Sequence, residues 1–215
     1  MSSMGRAAKV QIERRLETAR HGARLLDRKQ HLLGDQLEQV QLNAELACKE
    51  WESLAREAAL WMRRCAALDG SARIESAAPL EASTVVLTWG NAMGVRFPEG
   101  SECRLPELPP MGGSSALSYT ASAHRRALVA GVRYAALKRA AMQLSAELAA
   151  TRTRQRAVEN RWIPRLENNL QTIRRLLDAQ ELEESLRLRW AADRKPGNTA
   201  KVAQTFDTTE RHVRQ

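Results

Sequence analysis

Aromatic residues are scarce in this chain. Phe, Trp and Tyr make up 4% of its 215 residues, against 43% hydrophobic and 27% charged. Alanine and leucine must therefore supply most of any buried surface, which argues against a compact, aromatic-cored enzyme and for long helices. Glycine and proline are also few, at 11 and 7. Five of the prolines crowd between Pro79 and Pro110, so the flanking stretches are almost free of helix breakers. The three cysteines, Cys48, Cys65 and Cys103, have no CxxC spacing. That pattern excludes a zinc ribbon and fits a reducing compartment. No apolar run approaches the roughly 20 residues that cross a bilayer, and the N-terminus lacks the apolar core of a signal peptide. The expectation is a soluble, cytosolic, helical protein without membrane insertion.

Charge and period are what the sequence does have. The formal net charge is +9. Residues 116–193 carry 14 basic and 8 acidic groups, a net +6, whereas residues 71–115 are slightly acidic. Within the basic part, Arg152, Arg154, Arg156, Arg161 and Arg165 face only Glu159. Such arginines suit an anionic partner, whether nucleic acid, a membrane surface or an acidic protein cavity. The plainer reading is a solvated helix face.

The period decides the first long segment. Alternate steps of four and three from Ile12 reach Leu16, Ala19, Ala23, Leu26, Gln30 and Leu33, and continue to Trp51, Trp61, Cys65 and Leu68. All positions of this series are apolar except Gln30, and a 3.5-residue repeat held over about eight heptads predicts a coiled-coil seam. At 1.5 Å per residue the seam from Ile12 to Leu68 would be about 85 Å long, in a helix over 10–69 that ends at Gly70, with residues 1–9 a flexible terminus. Trp51, Trp61 and Cys65 are expected in the core, and Gln30 is either a register-fixing residue or a locally wet position.

Residues 70–115 form an insert. Val85, Leu87 and Trp89 alternate, Gly90-Asn91 offers a turn, and Met93, Val95 and Phe97 alternate again, which predicts one short β-hairpin. The hairpin is too small to stand alone and must lie on the helices or on a partner. Gly112-Gly113-Ser114-Ser115 lacks the GK[ST] of a phosphate loop and reads as the start of a second helix over 116–193. Its seam runs through Leu137, Ala141, Leu144, Leu148, Thr151, Gln155, Val158 and Trp162. A strict heptad would then bury Arg165 and Asn169, but the apolar residues are Leu166, Leu170, Ile173 and Leu177. Three steps of four predict a stutter that unwinds the supercoil, and Pro164 inside it predicts a bend. The polar tail 194–215 is expected to be disordered. The fold class is mainly α: a long antiparallel two-helix coiled coil with a β-hairpin between the helices.

Three separated blocks resemble the D subunit of the V-type/A-type rotary ATPases. Arg15-Leu16, Ala19, Gly22, Leu25-Leu26, Lys29 and Leu33 fit that family's first-helix spacing. Asn91-Ala92-Met93-Gly94-Val95-Arg96-Phe97-Pro98 is similar to its insert block. Ala157-Val158-Glu159, Ile163-Pro164-Arg165-Leu166-Glu167-Asn168 and Arg187-Leu188-Arg189 resemble its last-helix signature. The resemblance implies a rotor shaft that hydrolyses nothing itself and binds no cofactor or metal. It implies insertion into a hexamer of alternating A and B subunits, contact with the small F subunit and with the socket subunit of the membrane ring, and a place on the inner face of the cell membrane. Arg152, Arg154, Arg156, Arg161, Arg165, Met93, Val95 and Phe97 are then the partner-contact candidates, and Pro164 the helix bend.

Other functions have less support. No nucleophile, paired-carboxylate or metal constellation falls outside the seam and its solvated faces, and His21, His31, His124 and His212 have no ligand or triad spacing. Direct nucleic-acid binding would use the same arginines, but there are no aromatic stacking platforms or known DNA-binding motifs beside them. A coiled-coil scaffold or chaperone unrelated to ATPases is the alternative, because periodicity alone does not exclude it.

Overall fold

A computed structural model describes residues 2–108 and 112–193. Helix α1 spans Ser2–Asp69, the short helix α2 spans Ser71–Ser76, and strands β1 (Thr84–Ala92) and β2 (Val95–Arg104) follow. Helix α3 spans Ser115–Ala157, a π-helical turn covers Val158–Trp162, and α4 spans Ile163–Asp193. The protein is mostly helical, as its composition implies, with a two-stranded antiparallel sheet between the long helices. Residues 2–9, expected as a flexible terminus, are the first turns of α1. The tail 194–215 lies outside the described residues.

The chain divides into two compact units, Arg24–Gln155 and the described parts of Met1–Ala23 with Arg156–Gln215. In the first, Cys65 packs with Ala116 and Leu117, Ala58 with Ala123 and Ala127, and Leu33 and Val40 with Ala140, Leu144 and Leu148. Numbers fall along α1 as they rise along α3, so the two helices are antiparallel. In the second unit, Leu16 packs with Leu166 and Leu170, and the Gly5 backbone lies against Leu177, again antiparallel. Alanine lines much of α3, and the larger rings of α1 fill the space it leaves. Trp61 stacks on Tyr119 at 4.9 Å and Trp51 on Tyr134 at 5.7 Å. A Cβ at Gly131 would come within 3.0 Å of the Trp51 indole nitrogen, so glycine there lets the ring lie closest to α3. Trp51 is nonetheless at the rim of the core, 36% exposed, because it covers α3 from the side.

On α3 the buried positions are Ala136 and Ala140 rather than the expected Leu137 and Ala141, which are half-buried. The hairpin is the reason. Phe97 on β2 packs with Leu33, Val40, Ala140, Leu144 and Leu148, so a third element widens the buried face toward its own side.

The hairpin turn also differs from the expectation. Gly90 and Asn91 are strand residues, paired with Phe97 and Arg96, and the closing pair is Ala92 with Val95. The two-residue turn is Met93-Gly94, with φ of 51° and 85°. Positive φ at both positions matches the twist of the flanking strands and suits Gly94. Asn91 contributes differently, its side-chain oxygen accepting the Gly94 N–H at 3.0 Å. A bulge at Glu99 of β2 shifts the register between Thr88 and Trp89, while Val85, Leu87 and Trp89 stay on one face of β1.

The irregularity in the second helix is one surplus residue and not a stutter. Remove one residue after Val158, and Leu166, Leu170, Ile173 and Leu177 fall on the uninterrupted four-three alternation. The π turn absorbs that residue within one turn: the Ile163 N–H bonds the Val158 carbonyl, five residues back. Trp162, expected on the seam, is consequently turned outward and 60% exposed, while Leu166 and Leu170 are buried.

Candidate interaction surfaces

In the unit Arg24–Gln155, Asp69 ties the end of α1 to the start of α3. Its carboxylate accepts the Ser114 backbone N–H at 3.0 Å and also the Ser114 hydroxyl. These bonds, the hydroxyl's first, hold the Asp69 pKa below the ordinary carboxylate range. Cys65 is fully buried beside it, and burial raises the thiol's pKa. An inert, protonated thiol follows.

A cavity of about 310 Å³ lies at this end, lined by Met62, Ile74, Leu105, Leu108, Leu117 and Leu128 among others. Its ionisable lining groups are His124 and Arg125. Arg125 donates to the Pro106 carbonyl at 2.6 Å, and His124 bonds the Thr120 carbonyl oxygen through Nδ1. Both act as straps to backbone. Among the described residues no group of His, Cys, Asp and Glu could hold a metal ion, and no helix is long and apolar enough to cross a membrane.

The hairpin candidates separate by burial. Met93 is exposed at the tip, Val95 is half-buried against the helix core, and Phe97 is 5% exposed. Phe97 is therefore a core residue of the helix–hairpin contact and presents no surface to a partner. The sequence gives no hint of Trp89 as a surface residue, yet it is exposed, with the Arg96 guanidinium 5.7 Å from its ring centroid. Its place in an apolar alternation suggests burial, but that alternation lies on the face of β1 opposite Gly90 and Ala92, which pair with Phe97 and Val95 toward the helix core.

The arginine candidates are all exposed. Arg154 donates to Glu147 at 3.4 Å, and Glu147 also takes the Lys29 ammonium at 2.9 Å. The Lys29 hydrogen bond is the main cause that lowers the Glu147 pKa. Arg154 therefore serves the helix pair, whereas Arg152 lies exposed on the same helix. In the other unit, Arg156, Arg161 and Arg165 flank or occupy the π turn, and Pro164 is the second residue of α4 after it. Charge across the helix pair elsewhere is neutralised in order: Arg133 meets Glu50 and Arg126 meets Glu57 in one unit, while Arg20 meets Glu167 and Arg174 meets Glu13 in the other.

Beyond Leu177, α4 buries nothing. Leu182, Leu186 and Trp190 recur every four residues and are 63%, 43% and 70% exposed, an apolar stripe on the last turns of the helix.

No curated protein matches the chain. Residues 9–193, nearly all of the described structure, match the family model of the ATP synthase D subunit. Two long helices with a hairpin between them, matched along almost their whole length, place this chain in the ATP synthase D-subunit family, as a stalk component of a rotary ATPase.

Proposed function

We propose that this protein is the central rotor shaft of a V/A-type ATPase, coupling ATP synthesis or hydrolysis in an A/B hexamer to proton or sodium transport through the membrane ring. It performs no hydrolysis of its own. The observation that carries this reading is the family match over residues 9–193. A pair of helices is not threefold symmetric. Placed on the axis of three equivalent catalytic interfaces, it holds each in a different state, and its rotation permutes them.

The exposed features fit that role. The stripe of Leu182, Leu186 and Trp190 suits insertion into an apolar collar at the top of the hexamer. Arg152, Arg156, Arg161 and Arg165 suit an acidic inner wall. The exposed Met93 at the hairpin tip and the apolar cavity between α2, α3 and the strand-end loop suit the F subunit and the socket subunit at the membrane side. The complex is then peripheral, on the inner face of the cell membrane.

The test is a tagged pull-down from detergent-solubilised host membranes at moderate salt, read by mass spectrometry. Recovery of the A, B and F subunits with nucleotide-sensitive ATPase activity is the expected result. Recovery of none of them, with the chain alone or on other partners, would return it to the class of coiled-coil scaffolds.

A further inference from the structure

Gln30 is the one polar member of the α1 seam series, and it lies within the unit Arg24–Gln155. Two contacts bracket its layer. Gln155 donates to the Asp27 carboxylate at 3.5 Å, and Leu33 packs with Leu144 and Leu148. In an antiparallel pair Gln30, between Asp27 and Leu33, is therefore level with Thr151, between Leu148 and Gln155. Gln30 Nε2 and Thr151 Oγ1 are both buried, and neither has a hydrogen-bond partner.

The Thr151 hydroxyl departs from the habit of the other described helical threonines. Thr18, Thr120, Thr153 and Thr172 each donate to the carbonyl four residues back, as helical threonines readily do. Thr120 does so although it is only 4% exposed, so burial does not prevent the bond. Thr151, at 0% exposed, forgoes it. A direct bond between the Gln30 amide and the Thr151 hydroxyl would satisfy both groups, and it is not made either. Two unpaired buried polar atoms facing each other across a seam are costly, and such atoms mark the places where interior water binds.

We propose that Gln30 and Thr151 hold one buried water between α1 and α3, and that this polar layer fixes the alignment of the two helices there. The Gln30 N–H donates to the water, and the Thr151 hydroxyl bonds it as donor or acceptor. A halide would also accept both donors, but the Glu147 carboxylate, one turn before Thr151 and already holding Lys29 and Arg154, opposes a second negative charge. The neighbouring layers of leucine, valine and alanine fit one another in more than one alignment. A slip of one heptad would put Gln30 opposite Leu144, where its amide meets no polar group. A single polar seam residue sets register in this way at some cost in stability.

A crystal structure of the full-length natural chain, at a resolution that shows ordered water, tests the site without any variant. One water within hydrogen-bond distance of both Gln30 Nε2 and Thr151 Oγ1 is the expected result. A direct Gln30–Thr151 bond, a Thr151 bond back to the Glu147 carbonyl, or a halide revealed by anomalous scattering from bromide-grown crystals overturns it. Denaturant melting reads the same site through a change of sign. Thr151→Val should make the folding equilibrium about tenfold less favourable in the natural chain, and no less favourable once Gln30→Leu has removed the other partner. A gain from Thr151→Val in the natural chain, or an equal loss in both backgrounds, overturns the proposal. Hydrogen–deuterium exchange tests the alignment. In the variant carrying both substitutions, amides of 26–33 and 148–154 should exchange at least about tenfold faster than in the natural chain, although the variant melts no lower than either single one. Unchanged protection there overturns the alignment role.

Discussion

Met93 adopts a left-handed backbone at φ 51°, a conformation that most side chains reach only with strain and that asparagine tolerates. Met93→Asn should therefore stabilise the hairpin by about 0.5–1 kcal/mol, measured as slower amide exchange across β1 and β2. No change would mean that the turn relaxes at no cost. Asp69 and Glu147 carry the pH dependence that single residues contribute. Both have folded pKa values below their ordinary ones, so each favours the folded state above the ordinary carboxylate pKa. That contribution fades as pH falls through the unfolded and then the folded value. Thermal stability should therefore fall between about pH 5 and pH 3. Asp69→Asn should melt lower than the natural chain at neutral pH and lose less on acidification. A parallel pair of pH–melting curves would show that the Ser114 bonds do not hold Asp69 ionised.

The elements differ in how far the sequence reveals them. Both long helices and the hairpin follow from period and composition, since about sixty residues of four-three alternation and two short apolar alternations admit few alternatives. The turn is misplaced by sequence because Gly90-Asn91 has suitable chemistry, and only strand pairing shows that Met93-Gly94 closes the loop. Likewise the break in the seam at Trp162 is legible, but its form is not. A stutter and a single surplus residue give similar spacings over two turns, and they separate only when the π bond from Ile163 to Val158 is seen. Phe97 reads as a partner contact because an exposed hairpin and a docked one have the same alternation. Its burial predicts that Phe97→Ala costs about 3 kcal/mol or more, read by denaturant melting, while Met93→Ala at the exposed tip costs little. Equal effects of the two would mean that the hairpin is not anchored through Phe97. If the hairpin serves only as cover, deletion of residues 85–97 should weaken the helix pair and leave ATPase rate in the assembled complex unchanged; a changed rate in a folded, assembled complex points to regulation by the hairpin.

At the scale of the molecule, two kinds of force do different work. Leu33, Leu144 and Leu148 are almost wholly removed from water, and burial of each large side chain contributes about 1.5–3 kcal/mol. The ion pairs between the helices are mostly half-exposed, and pairs of that kind contribute about 0–1 kcal/mol each. Packing therefore holds the helices together, and the paired charges mainly fix which faces meet. Arg161 and Arg165 are exposed on the outer surface, so reversing their charge should leave the fold alone and act on the partner. Under the rotor reading the partner wall is acidic, and Arg161→Glu with Arg165→Glu should melt within about 0.5 kcal/mol of the natural chain yet recover markedly less of the A and B subunits. The loss should grow at low ionic strength, where like charges repel over a longer distance. Full recovery at low salt would make these arginines a solvated face, and the hexamer would have to hold the shaft through the apolar stripe of Leu182, Leu186 and Trp190 instead.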